Sequence, residues 1–99
     1  MKRIEILDEA ARDIEAGIAF YNSIEQGAGD YFRDSIISDL RGLQLYFGQH
    51  RIHHNYHRTF SNKFPYAIYY RDRDNLRQVI AILDMRRSPH WISNQIKDR

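Results

Sequence analysis

Apolar residues along the first half of the chain recur with helical spacing. Ala10, Ile14, Gly17, Ile18 and Tyr21 fall on one face of a helix. Phe32, Ile36, Leu40, Leu43 and Phe47 fall on one face of a second. Asp8 stands where a capping residue would open the first helix, with Glu9 favoured in its first turn by the helix dipole. "QGAG" interrupts the pattern near Gly27, and Gly48 offers a stop for the second helix. Two amphipathic helices joined by a short glycine-bearing turn predict an antiparallel hairpin. Before it, "RIEIL" alternates as a short strand.

After residue 50 the period changes to two. In "NYHRTFS", Tyr56, Arg58 and Phe60 alternate with His57 and Thr59, as in a half-buried strand. "FPYAIYYR" predicts another strand, with Pro65 at its start because proline cannot donate to a ladder. Its alternation puts Tyr69 on the face opposite Tyr66 and Tyr70. "RDRDN" supplies turn residues, and "QVIAIL" is apolar without interruption, as suits a strand buried on both faces. Ser88-Pro89 reads as a helix start, N-cap followed by first helical residue, for a short helix carrying Trp91, Ile92, Gln95 and Ile96. The order β-α-α-β-β-β plus a final helix predicts a two-layer α+β fold. The helical hairpin packs on one face of a mostly antiparallel sheet, whose reverse face is expected to stay open.

Ninety-nine residues make one domain, 1–99, with a single modest core. Seven Tyr, five Phe and one Trp argue for a folded chain. The absence of cysteine excludes disulfides and thiolate metal sites. Neither a signal peptide nor a membrane span is recognisable, so a cytoplasmic protein without membrane partners is expected. Residues 1–48 hold five Lys/Arg against nine Asp/Glu, whereas residues 49–99 hold ten against four and all five histidines. That asymmetry points to an anionic partner for the second half. The "HRIHHNYH" segment reads as a basic loop running into a strand rather than a zinc site, and no metal or cofactor is expected.

Three segments, "GxGDYF" opening the second helix, "FPYAIYY", and the "LDxRRxPxW" ending of the last strand, resemble the RelE/ParE family of toxins in order and spacing. The resemblance spans the whole chain. It implies the toxic half of a type II toxin–antitoxin pair, inhibited by a cognate antitoxin in a hetero-oligomer, with the RelE-like fold. One branch of the family cleaves mRNA on the ribosome without metal, and the ParE-like branch binds DNA gyrase. For a nuclease, the acid/base and phosphate-binding candidates are His57, Arg58, Arg86, Arg87 and His90, since imidazoles shuttle protons and arginines grip phosphate bidentately. Asp84 stands where relatives often have histidine. The only lysines are Lys2, Lys63 and Lys97, and Trp91 stands where some nucleases have tyrosine. These departures favour the gyrase-binding branch; a member without toxicity is the remaining reading. Residues expected to meet antitoxin or target are Arg58, Tyr69, Arg86, Arg87 and Trp91, and Asp84 is expected to pair with Arg58 or Arg86.

Overall fold

A computed structural model describes residues 1–99. The elements run β1 (Arg3–Ile6), α1 (Asp8–Ile24), α2 (Ala28–Leu45), β2 (Ile52–His53), β3 (Tyr56–Phe60), β4 (Tyr66–Arg73), β5 (Leu76–Asp84) and α3 (Pro89–Ile96). The strands form one sheet in the order β1-β5-β4-β3-β2, with β1 parallel to β5 and every other pair antiparallel. No helix is long and apolar enough to cross a membrane.

The α1–α2 turn depends on both glycines of "GAG". Gly27 sits at φ 90°, the left-handed region that a Cβ disfavours. A Cβ on Gly29 would stand 2.5 Å from the Ile18 carbonyl oxygen, where the Asn22 side chain also accepts the Gly29 N–H at 2.9 Å. Helix α1 starts one position earlier than its cap signal suggests: Leu7 is the N-cap and Asp8 the first helical residue, without a side-chain cap. Helix α2 ends at Leu45 rather than Gly48. Phe47 therefore leaves the predicted apolar face and stands 96% exposed. The two-residue strand β2, unpredicted, closes on β3 through His54 and Asn55, both at positive φ, the backbone of a tight hairpin turn.

The sheet is buried on both faces. On one, Ala10 of α1 and Phe32, Ile36, Leu40 and Leu43 of α2 pack against Tyr66, Ile68, Tyr70, Val79 and Ile82. On the other, Ile92 and Ile96 of α3 pack over Ala67, Tyr69, Ala81 and Leu83. The register skips from Tyr69↔Ala81 to Tyr70↔Val79, a β-bulge at Ile80 that keeps Val79 on the hairpin side. The expected open reverse face is thus corrected: the chain's own last helix covers its β4–β5 half. A helix with apolar residues four apart must bury them, and only this face was left.

Arg77 lies under the loop that leaves α2, 1% exposed, and pairs with Asp72 across the β4–β5 hairpin. Hydrogen bonds from Arg77 lead the causes that hold the Asp72 carboxyl down to about 2. An unfolded aspartate titrates near ~3.9. The depressed group therefore contributes stability above about pH 4, and this is lost as pH falls through about 2. The difference corresponds to roughly 2–3 kcal/mol. Urea titrations of the wild type and Asp72→Asn should show a gap of that order at neutral pH, closing as the medium is acidified through this window. A gap independent of pH would show that Asp72 is not ionised in the fold.

Candidate functional site

Strand β5 ends in a polar knot. Asp84 Oδ1 accepts the backbone N–H of Arg86 at 2.9 Å and its Nε–H at 3.0 Å, and Oδ2 accepts from Nη2 at 2.8 Å. The same Nη2 reaches the Tyr21 hydroxyl at 3.2 Å, tying the strand end to α1. Burial alone would raise the Asp84 pKa, but the Arg86 hydrogen bonds outweigh it and the net direction is down. Asp84 is thus a stably charged partner of Arg86, not of Arg58, and is poorly suited to take up a proton. Arg87 lies over the indole of Trp91, 4.1 Å from the ring centroid, and its side chain engages no carboxylate. Trp91 is half-buried. Ser88 caps α3 by accepting the Trp91 N–H at 3.1 Å, as its pairing with Pro89 predicts.

Beside this knot a groove of about 450 Å³ runs between α1 and α3, lined among others by Phe20, Tyr66, Leu83, Arg86, Arg87 and Trp91. Phe20 remains exposed at its rim, with the Arg86 guanidinium 5.9 Å from its ring. Asp13 and Asp84 also line it, but each is paired with an arginine, which leaves Arg87 as the cation free to meet a carboxylate on an otherwise apolar polypeptide.

The side chains named for nuclease chemistry do not converge. His57 faces the hairpin side, donating from Nδ1 to the His50 carbonyl at 2.6 Å. Arg58, the next residue, projects to the opposite face beside Phe60, and its Nε is buried without a hydrogen-bond partner. Arg58 is in register with Tyr69 and, through it, Ala81. It therefore lies two strands, about 10 Å, from β5 and several residues short of Arg86 and Arg87. His90 is exposed on α3 and accepts from Asn94 at 3.0 Å. Tyr69, expected to meet a partner, is 0% exposed under α3, with its hydroxyl directed at the Met85 sulfur. As the chain stands, Tyr69 is a core residue. Arg86, Arg87 and Trp91 are brought together; Arg58, Tyr69, His57 and His90 are not part of that group.

The histidines of "HRIHHNYH" also separate. His50 accepts the Tyr70 hydroxyl on Nδ1 at 2.7 Å and stacks on Tyr46, while His54 lies edge-on to Tyr69 on the other face. Burial, then Arg77 and His57, push the His50 pKa down, so this imidazole stays neutral as a hydrogen-bond acceptor.

Two contributors to the site were not anticipated, Asp13 and Arg99. They meet where β1 falls short of β5, and Asp13 also lines the groove. The length mismatch between "RIEIL" and the longer apolar run of the last strand was the available signal.

No family model matches the sequence, and no curated protein is significantly similar to it. Among solved structures, the chain is similar to one described as "Chromosomal ParDE TA system from P. aeruginosa". That likeness has a TM-score of 0.70 at 15% identity and covers 83% of this chain and 94% of the other. The chain shares the fold of that ParDE-system chain, with its helical hairpin on one face of the sheet.

Proposed function

We propose that this chain is the toxin of a type II toxin–antitoxin pair, that it acts in the cytoplasm by binding DNA gyrase, and that a cognate antitoxin restrains it. The observation that carries the reading is the likeness of fold to a chain of a ParDE system over nearly its whole length. The choice of gyrase over mRNA rests on the scattering of the nuclease candidates. Metal-free RNA cleavage needs a base, an acid and phosphate-binding cations within hydrogen-bond reach of one scissile bond. His57 and Arg58 face opposite sides of the sheet, and Asp84 is held ionised by Arg86. What remains assembled is a binding surface: Arg86, Arg87 and Trp91 around an apolar groove.

Induced without a partner, the chain should arrest growth, inhibit supercoiling by purified gyrase, and leave transcripts intact by primer extension. Arg87→Glu, which reverses a charge whose contact in the fold is the Trp91 indole, should weaken gyrase inhibition about tenfold while costing no more than about 1 kcal/mol of stability. Codon-position cuts in mRNA, lost in Arg58→Ala, would replace this reading with the nuclease one. Normal growth with unimpaired gyrase would leave a member without toxicity.

A further inference from the structure

Strand β5 has nine residues and its parallel neighbour β1 only four. Pairing ends at Ile6↔Val79, with a last hydrogen bond from Leu7 N–H to the Val79 carbonyl at 3.1 Å. Beyond it, from Ile80 to Asp84, no strand lies along this edge. Such an edge presents main-chain donors and acceptors to any extended chain that reaches it. Here two side chains stand in that place. Asp13 Oδ2 accepts the Ile82 N–H at 3.0 Å, and Arg99 Nη1 donates to the Ile80 carbonyl at 3.3 Å. One donor to the carbonyl of residue 80 and one acceptor for the amide of residue 82 is what a single residue of a parallel neighbour strand supplies.

The two surrogates are also bound to each other. Arg99 grips Asp13 through both terminal nitrogens, at 2.5 and 3.1 Å, and reaches Glu9 at 3.3 Å and the Gln95 carbonyl at 2.9 Å. The pair therefore joins the segment after α3 to α1 across the open edge, beside the groove that Asp13 lines. The Arg99 side chain is 7% exposed.

We propose that the edge of β5 from residue 80 to 84 is the seat of an extended acidic peptide segment, and that the Asp13–Arg99 pair is a strand surrogate which the segment must displace. The groove fixes the kind of segment. Its main chain takes the Ile82 amide from Asp13; apolar side chains meet Phe20 and Trp91; carboxylates meet Arg87, which has no acidic partner of its own. Displacement frees Arg99 from α1, so occupancy of the edge and anchoring of α3 oppose each other. This deepens the toxin reading, from which it takes only the source of the segment, the antitoxin.

The test is titration of the isotope-labelled full chain with a synthetic peptide of alternating valine and glutamate, against one of valine and lysine. Amide shifts should centre on residues 80–84, exchange of the Ile82 amide should slow further, and the Ile96 methyls should report loosening of α3. Arg99→Gln should bind the glutamate peptide several-fold more tightly than the parent, because the surrogate is weakened. Arg87→Glu should lose that preference and gain affinity for the lysine peptide. Absence of binding in both parent and Arg99→Gln, equal binding of the two peptides, shifts mapping elsewhere, or no gain in Arg99→Gln would each overturn the proposal. Growth arrest without peptide binding removes the docking edge and leaves the toxin. Peptide binding without arrest or gyrase inhibition does the reverse.

Discussion

Arg77→Ala is expected to destabilise the protein by about 3–5 kcal/mol, the loss typical of removing one partner from a buried ion pair. All five guanidinium N–H groups are in use. Nε and Nη2 donate to Asp72 at 2.7 and 2.9 Å, Nη1 donates to the carbonyls of Leu43 and Tyr46 at 3.0 Å each, and Nη2 also donates to that of Gly48 at 3.0 Å. The Tyr70 ring lies 4.8 Å from the guanidinium carbon. Alanine would leave Asp72 charged in a nearly enclosed site and take a donor from three carbonyls, among them that of Leu43 in the last turn of α2, where the helix dipole favours a cation. Arg77→Lys keeps the charge but offers three donors in place of a planar fork of five, so a loss of more than about 1 kcal/mol is expected from it as well. Urea denaturation checks both. A lysine variant as stable as the parent would mean that charge alone matters and that the carbonyl contacts contribute nothing.

The same residue shows where sequence reading stops. Periodicity located α2 through Phe32, Ile36, Leu40 and Leu43, all buried as a single stripe. It failed at Phe47, because the Leu43, Tyr46 and Gly48 carbonyls turn to Arg77, more than thirty residues downstream of Leu43, and the chain leaves the helix to reach it. Strand alternation does place Arg77 on the same face as Val79, inward, so the burial was legible even though the partners were not. Tyr66, Tyr69 and Tyr70 divided between the faces as their spacing requires. What alternation could not show is that α3 would cover the Tyr69 side. Ile92 and Ile96 announce an apolar stripe, but not the surface that receives it. Strand β2 has two residues and thus no period to detect. In the site, the Asp84–Arg86 pair and the Ser88 cap are local and were readable. The Asp13–Arg99 pair joins positions 86 residues apart, and its only trace in the sequence is the length mismatch between the first and last strands, which leaves an edge to be covered without saying by what.

Phe32→Ala should cost about 3–5 kcal/mol, and the reason the loss should sit at the upper end lies in the helix opposite. Phe32 is fully buried at the centre of an aromatic group, stacked on Tyr21 at 5.1 Å and packed against Phe64 at 5.0 Å and Tyr66 at 4.9 Å. These neighbours come from α1, the β3–β4 connection and β4, so the ring joins the hairpin to the sheet. Its edge occupies the space that a side chain at position 17 would fill: a Cβ on Gly17 would run into Phe32. Truncating Phe32 therefore opens a cavity against a glycine, and rings anchored on three separate elements cannot all move inward to close it. Gly17→Leu alone should also destabilise, by about 1–3 kcal/mol, since overpacking outweighs the gain in helix propensity. Together the two changes should be strongly non-additive, because the leucine enters the volume that the phenylalanine vacates. A double variant more stable than Phe32→Ala alone, by urea midpoint, is the expected result. Additive losses would mean that the two positions do not share one volume, and that the close approach of α1 to α2 at Gly17 is set by something other than this ring.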